Sequence, residues 1–122
     1  MTDILIVDDS GTVREIIMRG IRQAGFKVEN FAEAGDGAAG LEILESNSVD
    51  LILSDIDMPD MNGLDFVKNV REKHGDATPI VMITTEGSED IVSEAKSLGA
   101  DGHLEQPFSS DKIQEILGPH LS

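Results

Sequence analysis

The stretch ILIVDD at residues 4–9 joins a short apolar run directly to two acidic residues. Four apolar residues are too few for a helix, and the β-branched side chains among them favour a buried β-strand at residues 4–7. Similar runs that end in polar residues recur as LILSD at 51–55 and IVMITT at 80–85. Because these runs are apolar throughout rather than alternating, they indicate strands buried on both faces, as in a parallel sheet covered by helices.

Segments with helical periodicity separate the strands. The first, at residues 13–24, follows candidate N-caps at Ser10 and Thr12 and ends at Gly25. Further helices are predicted at residues 36–46, 62–74 and 88–98 and after Ser109 or Ser110, with a last turn weakened by Gly118 and Pro119. The remaining strands are predicted at 26–31, 51–53, 80–83 and 101–105. Predicted core-facing residues include Ile16, Ile17 and Ile21 in the first helix and Ile91, Ala95 and Leu98 in the fourth. Five successive βα units predict an α/β fold, a doubly wound parallel sheet in a single domain of 122 residues.

Composition excludes several classes of protein. The chain has 9 basic and 24 acidic residues and a net charge of −15, a field that repels nucleic-acid backbones. Cysteine is absent, which excludes disulfide frameworks and thiolate zinc sites. No apolar run reaches the length of a membrane span, and the first residues do not resemble a signal peptide. We therefore expect a cytoplasmic protein that binds neither nucleic acid nor membranes.

Acidic residues follow two of the predicted strands. Asp8 and Asp9 close the first strand, and Asp55 closes the third. The carboxyl ends of parallel strands share one edge of a sheet, where such folds bind their ligands, so we expect these carboxylates to converge. A single acid there is most simply explained as a solvated loop residue. Three of them repel one another unless a cation offsets the charge, and an all-oxygen site best suits Mg²⁺.

These motifs carry a family resemblance. The pair DD after the first strand, SDIDMPDMNG at 54–63, TT at 84–85 and QPF at 106–108 occur in the order and spacing typical of response-regulator receiver domains of the CheY type. The resemblance covers essentially the whole chain, residues 1–122. It implies a flavodoxin-like (βα)5 fold with strand order 2-1-3-4-5.

The resemblance also implies roles for individual residues. Asp55 matches the phosphoacceptor, which receives a phosphoryl group as an acyl phosphate. Asp9 matches a direct Mg²⁺ ligand, Asp8 a ligand acting through water, and the backbone carbonyl of Asp57 a third protein ligand. Thr84 matches the switch hydroxyl that moves to the phosphoryl group. The implied protein is a switch in a two-component or phosphorelay system, with a histidine kinase or phosphotransfer protein as donor and an unknown protein as output partner. It is not an enzyme beyond its own phosphotransfer and dephosphorylation.

One position departs from the family pattern. Gln106 stands where the family has a lysine that contacts the phosphoryl group, and glutamine can donate a hydrogen bond but no charge. We expect phosphorylation to survive and the coupling to Thr84 to weaken. Two alternatives remain open: a degenerate receiver that acts as a constitutive protein-interaction domain, and a Mg²⁺-dependent phosphohydrolase, suggested by DID at 55–57.

Two surfaces are candidate contact sites. Arg14, Arg19 and Arg22 are predicted on the solvent face of the first helix, near which receiver domains often meet their donor. The family's usual output face lies around residues Val92, Lys96, His103 and Lys112.

Overall fold

Strands and helices alternate along the chain in the computed structural model, which describes residues 3–56, 62–75, 77–84, 89–106 and 109–121. The strands are β1 (Asp3–Val7), β2 (Asn30–Ala34), β3 (Leu51–Asp55), β4 (Ile80–Thr84) and β5 (Gly102–Glu105). The helices are α1 (Gly11–Gln23), α2 (Gly37–Ser46), α3 (Gly63–His74), α4 (Glu89–Leu98) and α5 (Ser110–Leu121).

The five strands form one parallel sheet in the order β2-β1-β3-β4-β5, as predicted. The order reverses between β1 and β3, because the chain builds outward from β1 first on one side and then on the other. In doubly wound sheets this reversal point is where the ligand crevice opens. A ligand site is therefore expected at the carboxyl ends of β1 and β3.

The sheet divides the hydrophobic core into two clusters. One lies beneath α2, α3 and α4 and has Phe66 as its largest fully buried side chain. The other lies beneath α1 and α5, where Ile17, Ile21 and Leu117 are fully buried. Side chains of β1, β3 and β4 alternate between the two clusters, which explains why these strands are apolar throughout.

The predicted helix starts at three positions are confirmed by side-chain caps. The Ser10 hydroxyl accepts a hydrogen bond from the Val13 N–H, and the carboxylate of Asp36 and the amide oxygen of Asn62 make the equivalent bonds at α2 and α3. Each cap satisfies an amide that the helix itself leaves without a partner. Gly25 follows α1 with φ +97°, a conformation that favours glycine.

The amino-terminal rim of the sheet is closed by Arg71. This side chain is only 9% exposed, and its guanidinium donates to the carbonyl oxygens of Gly75, Thr78 and Gly99. It also pairs at 3.0 Å with the carboxylate of Asp101, which accepts the Ile80 N–H. One cation thus joins the end of α3 to the loops that enter β4 and β5.

Two boundary predictions were wrong. The strand predicted at residues 26–31 begins only at Asn30, because Phe26 and Val28 pack against the α1–α5 cluster as part of a loop. The last helix was expected to weaken at Gly118 and Pro119, but it continues to Leu121, since buried Leu117 anchors its final turns in the core.

Two predicted core residues point to solvent instead. Ile16 is 51% exposed because α1 meets the sheet through the narrower stripe that contains Ile17 and Ile21. Ile91 is 37% exposed, and Val92 is buried in its place, whereas Ala95 is buried and Leu98 packs against the core as predicted. Val92, expected on the output face, therefore belongs to the core.

Candidate functional site

Strand register places the candidate residues side by side along one rim of the sheet. Val7 pairs with Ser54, so Asp8 follows β1 beside Asp55 at the end of β3. On the other side Asp55 pairs with Ile83, and Thr84 pairs with Glu105 on β5. The predicted convergence of these residues follows from parallel pairing.

Asp8, Asp9 and Asp55 form a tight cluster of carboxylates. One oxygen from each lies within 4.8 Å of the others, and no other such group of acidic or histidine side chains was found in the part of the chain that the structure describes. Asp8 is 2% exposed, Asp55 is half-buried and Asp9 faces solvent. The cluster therefore has a buried floor and an open side.

The buried member of the cluster is electrostatically disfavoured when ionised. Burial raises the pKa of the Asp8 carboxyl, and the neighbouring Asp9 raises it further. The Ser10 N–H, 2.8 Å from one Asp8 carboxylate oxygen, lowers that pKa, as does the positive charge of Arg14. Because the net effect is a raised pKa, the folded protein disfavours the ionised form of Asp8, and a nearby cation would favour that form.

The donor set fits a hard divalent cation. Three carboxylates supply only oxygen ligands, which Mg²⁺ prefers, and the solvent-facing side leaves room for the waters that Mg²⁺ retains. Asp57, whose carbonyl was predicted as a further ligand, lies outside the described residues.

The backbone around Asp55 is held from two sides. The buried Ser54 hydroxyl donates to the Asp55 carbonyl oxygen at 3.0 Å, and the Gly63 N–H donates to the Ile56 carbonyl at 2.7 Å. A Cβ atom on Gly63 would lie 2.4 Å from the Asp55 carbonyl oxygen. Glycine at the start of α3 is therefore a steric requirement of the segment that carries Asp55, and the sequence pattern does not predict this requirement.

Thr84 and Gln106 continue the rim towards β5. Thr84 is 4% exposed, and its carbonyl oxygen accepts the Gln106 N–H at 2.8 Å. This bond ties the residue after β5 to the end of β4. Gln106 itself is half-buried and brings no positive charge to this rim.

The arginines of α1 differ from their predicted arrangement. Arg14 was expected on the solvent face, but its side chain is only 19% exposed and contacts both the Asp8 carbonyl oxygen and Glu33. The Arg22 guanidinium lies over the ring of Phe31, 4.9 Å from its centroid. Only Arg19 and Arg22 thus remain exposed as a basic face.

Comparison with known proteins identifies the class. A sequence model described as the response regulator receiver domain matches residues 4–118, so the chain belongs to the receiver domain family. Members of this family act as phosphoacceptor switches in two-component signalling rather than as classical enzymes, which favours the switch over the phosphohydrolase alternative.

Chemotaxis regulators are among its similar proteins. The chemotaxis protein CheY of Pseudomonas aeruginosa is 38% identical over 118 residues, which cover 93% of this chain and 91% of the relative. The chemotaxis protein CheY-3 of Vibrio cholerae is 37% identical, with 93% and 87% covered. The solved structure of chemotaxis protein CheY4 of Vibrio cholerae superposes with a TM-score of 0.83 at 38% identity and covers 99% of both chains. These matches confirm the predicted family and flavodoxin-like fold.

Among the helices in the described ranges, none has the length and apolar character needed to cross a bilayer.

Proposed function

We propose that this protein is a phosphorylation-dependent signalling switch that accepts a phosphoryl group on Asp55. The observation that carries the proposal is the carboxylate cluster of Asp8, Asp9 and Asp55 at the reversal point of a receiver fold. We also propose that residues 1–122 constitute one receiver domain that works in the cytoplasm.

The chemistry is assigned to Asp55. An oxygen of its carboxylate would bond to phosphorus while the bond from phosphorus to the donor imidazole breaks, giving an acyl phosphate and a neutral donor histidine. A carboxylate is a weak nucleophile, so alignment matters more than basicity. The contacts from Ser54 and Gly63 to this segment support that alignment, because they restrain the backbone on which Asp55 is carried.

Asp8 and Asp9, with Asp55, would hold Mg²⁺. The bound cation would supply charge neutralisation for the phosphoryl oxygens. Asp8 would remain ionised there despite its burial, and solvent-facing Asp9 would bind the cation at the open side of the site. Asp57 is proposed to contribute its backbone carbonyl.

Thr84 and Gln106 are proposed to transmit the signal. The hydroxyl of Thr84 would bond the phosphoryl group, and Gln106 would offer an amide hydrogen bond where the family has a lysine. The backbone bond from Gln106 to Thr84 supports joint movement of the two residues. Because no lysine stands at this position, we expect coupling between phosphorylation and Thr84 to be weaker than is usual in the family.

Partner contacts are assigned to two faces. The donor, a histidine kinase or phosphotransfer protein, would dock near the exposed Arg19 and Arg22 of α1. The output partner, a protein, would meet the face of α4, β5 and α5 that carries Lys96, His103 and Lys112.

Intact-mass spectrometry tests the proposal. The protein would be incubated with acetyl phosphate in Mg²⁺ or in EDTA, alongside Asp55→Asn and the matched control Asp111→Asn, an exposed acid on α5. We expect a single phosphoryl adduct in wild type and in Asp111→Asn only with Mg²⁺, and none in Asp55→Asn. An adduct that persists in Asp55→Asn would refute the assignment of the acceptor.

The neutral Gln106 favours one alternative, a constitutive interaction domain. If folded protein binds Mg²⁺ but forms no adduct, the switch proposal fails and this alternative replaces it. Its partner would then bind wild type and Asp55→Asn equally.

A further inference from the structure

Arg14 forms a bridge between the acidic cluster and the edge strand. Its Nη1 donates to the carbonyl oxygen of Asp8, and its Nε donates at 3.0 Å to the carboxylate of Glu33 on β2. The Arg14 side chain is 19% exposed and that of Glu33 is 44% exposed, so the contact with Asp8 is partly buried whereas the ion pair with Glu33 faces water. Arginine suits such a bridge because its planar guanidinium presents several donors in a fixed geometry.

The carbonyl that Arg14 holds belongs to the peptide between Asp8 and Asp9. A peptide unit is planar, so fixing its carbonyl also fixes the direction in which the chain enters Asp9. The Asp8 N–H donates to the Ala34 carbonyl at 3.0 Å, and the Asp8 carboxylate accepts the Ser10 N–H at 2.8 Å. With Arg14, the turn that carries both acids is therefore restrained at three points.

We propose that Arg14, held by Glu33, is a positioning residue that orients Asp8 and Asp9 for Mg²⁺. This inference rests on the proposed function, since it presupposes that the cluster binds the cation. Arg14 itself touches neither cation nor phosphoryl group in this scheme. It acts through the backbone of Asp8.

The direction in which Mg²⁺ affinity changes distinguishes a positioning role of Arg14 from a purely electrostatic one. Arg14 is a positive charge near a cation site, so its charge alone opposes Mg²⁺ binding. Removing the charge without any loss of positioning would therefore tighten Mg²⁺ binding. Loss of positioning has the opposite effect, and substitutions of residues that orient metal ligands commonly weaken affinity by about tenfold or more. A weaker site after loss of a repelling charge thus indicates positioning.

The experiment is an Mg²⁺ titration followed by the backbone amide NMR signals of residues 8–10. Variants are Arg14→Gln, which removes the charge, and Arg14→Lys, which keeps the charge but not the fork of donors. Arg19→Gln is the matched control, because it removes an exposed arginine from the same helix. Thermal unfolding in EDTA reports any general loss of stability separately. The titration requires no phosphorylation.

We expect the Kd for Mg²⁺ to rise about tenfold in Arg14→Gln and several-fold in Arg14→Lys, with less than a twofold change in Arg19→Gln. The effect of Arg14→Gln should shrink in a Glu33→Ala background, since Glu33 acts through Arg14. If Arg14→Gln does not fold, the Kd of Arg14→Lys alone tests the inference. A change in Kd at constant charge must come from a change in geometry.

Three results would overturn the inference. Tighter Mg²⁺ binding in Arg14→Gln with no change in Arg14→Lys would show that Arg14 affects the site only through its charge. An unchanged Kd in both variants, even with a lower melting temperature, would leave it a structural residue, and the proposed switch would stand. If wild type shows no saturable Mg²⁺ response, the proposed metal site fails and the inference fails with it.

Discussion

Gly63→Ala tests the steric support of the phosphoacceptor segment. The added carbon would lie 2.4 Å from the Asp55 carbonyl oxygen and 2.6 Å from the Ile56 Cα, whereas ordinary contact begins at 3.4 Å. The β3 backbone or the start of α3 must therefore move by about 1 Å, against fully packed surroundings. Overpacking of this kind costs about 1–3 kcal/mol of stability, and displacing a reacting group by 1 Å can slow its reaction about a hundredfold.

The assays are urea unfolding followed by circular dichroism, since the chain has no Trp or Tyr, and the rate of adduct formation with acetyl phosphate in Mg²⁺. The control is Gly102→Ala on β5, where an added Cβ meets nothing within 4 Å. Removing a glycine there should raise stability by about 0.4–1 kcal/mol. If Gly63→Ala matched Gly102→Ala in stability and rate, the steric argument would be wrong.

Three further predictions concern stability, charge and signalling. Arg71→Met should lower the free energy of unfolding by about 3 kcal/mol, because several backbone carbonyls lose their donor, and urea unfolding measures this loss. The Kd for Mg²⁺ should stay constant in the NMR titration. Asp8→Asn should stabilise the protein in EDTA at pH 7. The folded-state pKa of Asp8 lies above its ordinary value of 3.8, so wild type loses stability as the pH rises above 3.8 and Asp8 ionises, whereas asparagine stays neutral. The difference should vanish in urea unfolding at low pH, and excess Mg²⁺ should reverse it at pH 7. Gln106→Lys should enlarge the phosphorylation-dependent chemical-shift change at Thr84, and an unchanged shift would contradict the proposed weakening.

The fold could be predicted because strand burial and helix periodicity are local signals. Apolar runs at residues 4–7 and 80–83 identify strands buried on both faces, and the caps at Ser10 and Asn62 mark helix starts that the structure confirms. The edge strand β2 was misplaced because it is only partly buried, so its sequence resembles that of the loop before it. The strand order itself came from the family resemblance.

The acidic cluster could be predicted for a different reason, since parallel pairing brings strand ends together whatever the side chains are. The contacts that support the cluster could not be predicted from the sequence. Helical spacing places Arg14 on a face but does not identify Glu33, 19 residues further along the chain, as its partner. Similarly, the need for glycine at position 63 depends on how closely α3 approaches β3, which is a property of the packed structure.

The Arg71 contacts lie at the amino ends of β4 and β5, whereas the carboxylates lie at the carboxyl ends of β1 and β3. The sheet thus separates a rim that secures the fold from a rim that carries the chemistry. Changes at distant, independent positions have nearly additive effects on stability. Descendants of this chain can therefore gain stability at one rim and absorb destabilising but useful substitutions at the other, so that new signalling properties can evolve without loss of the fold.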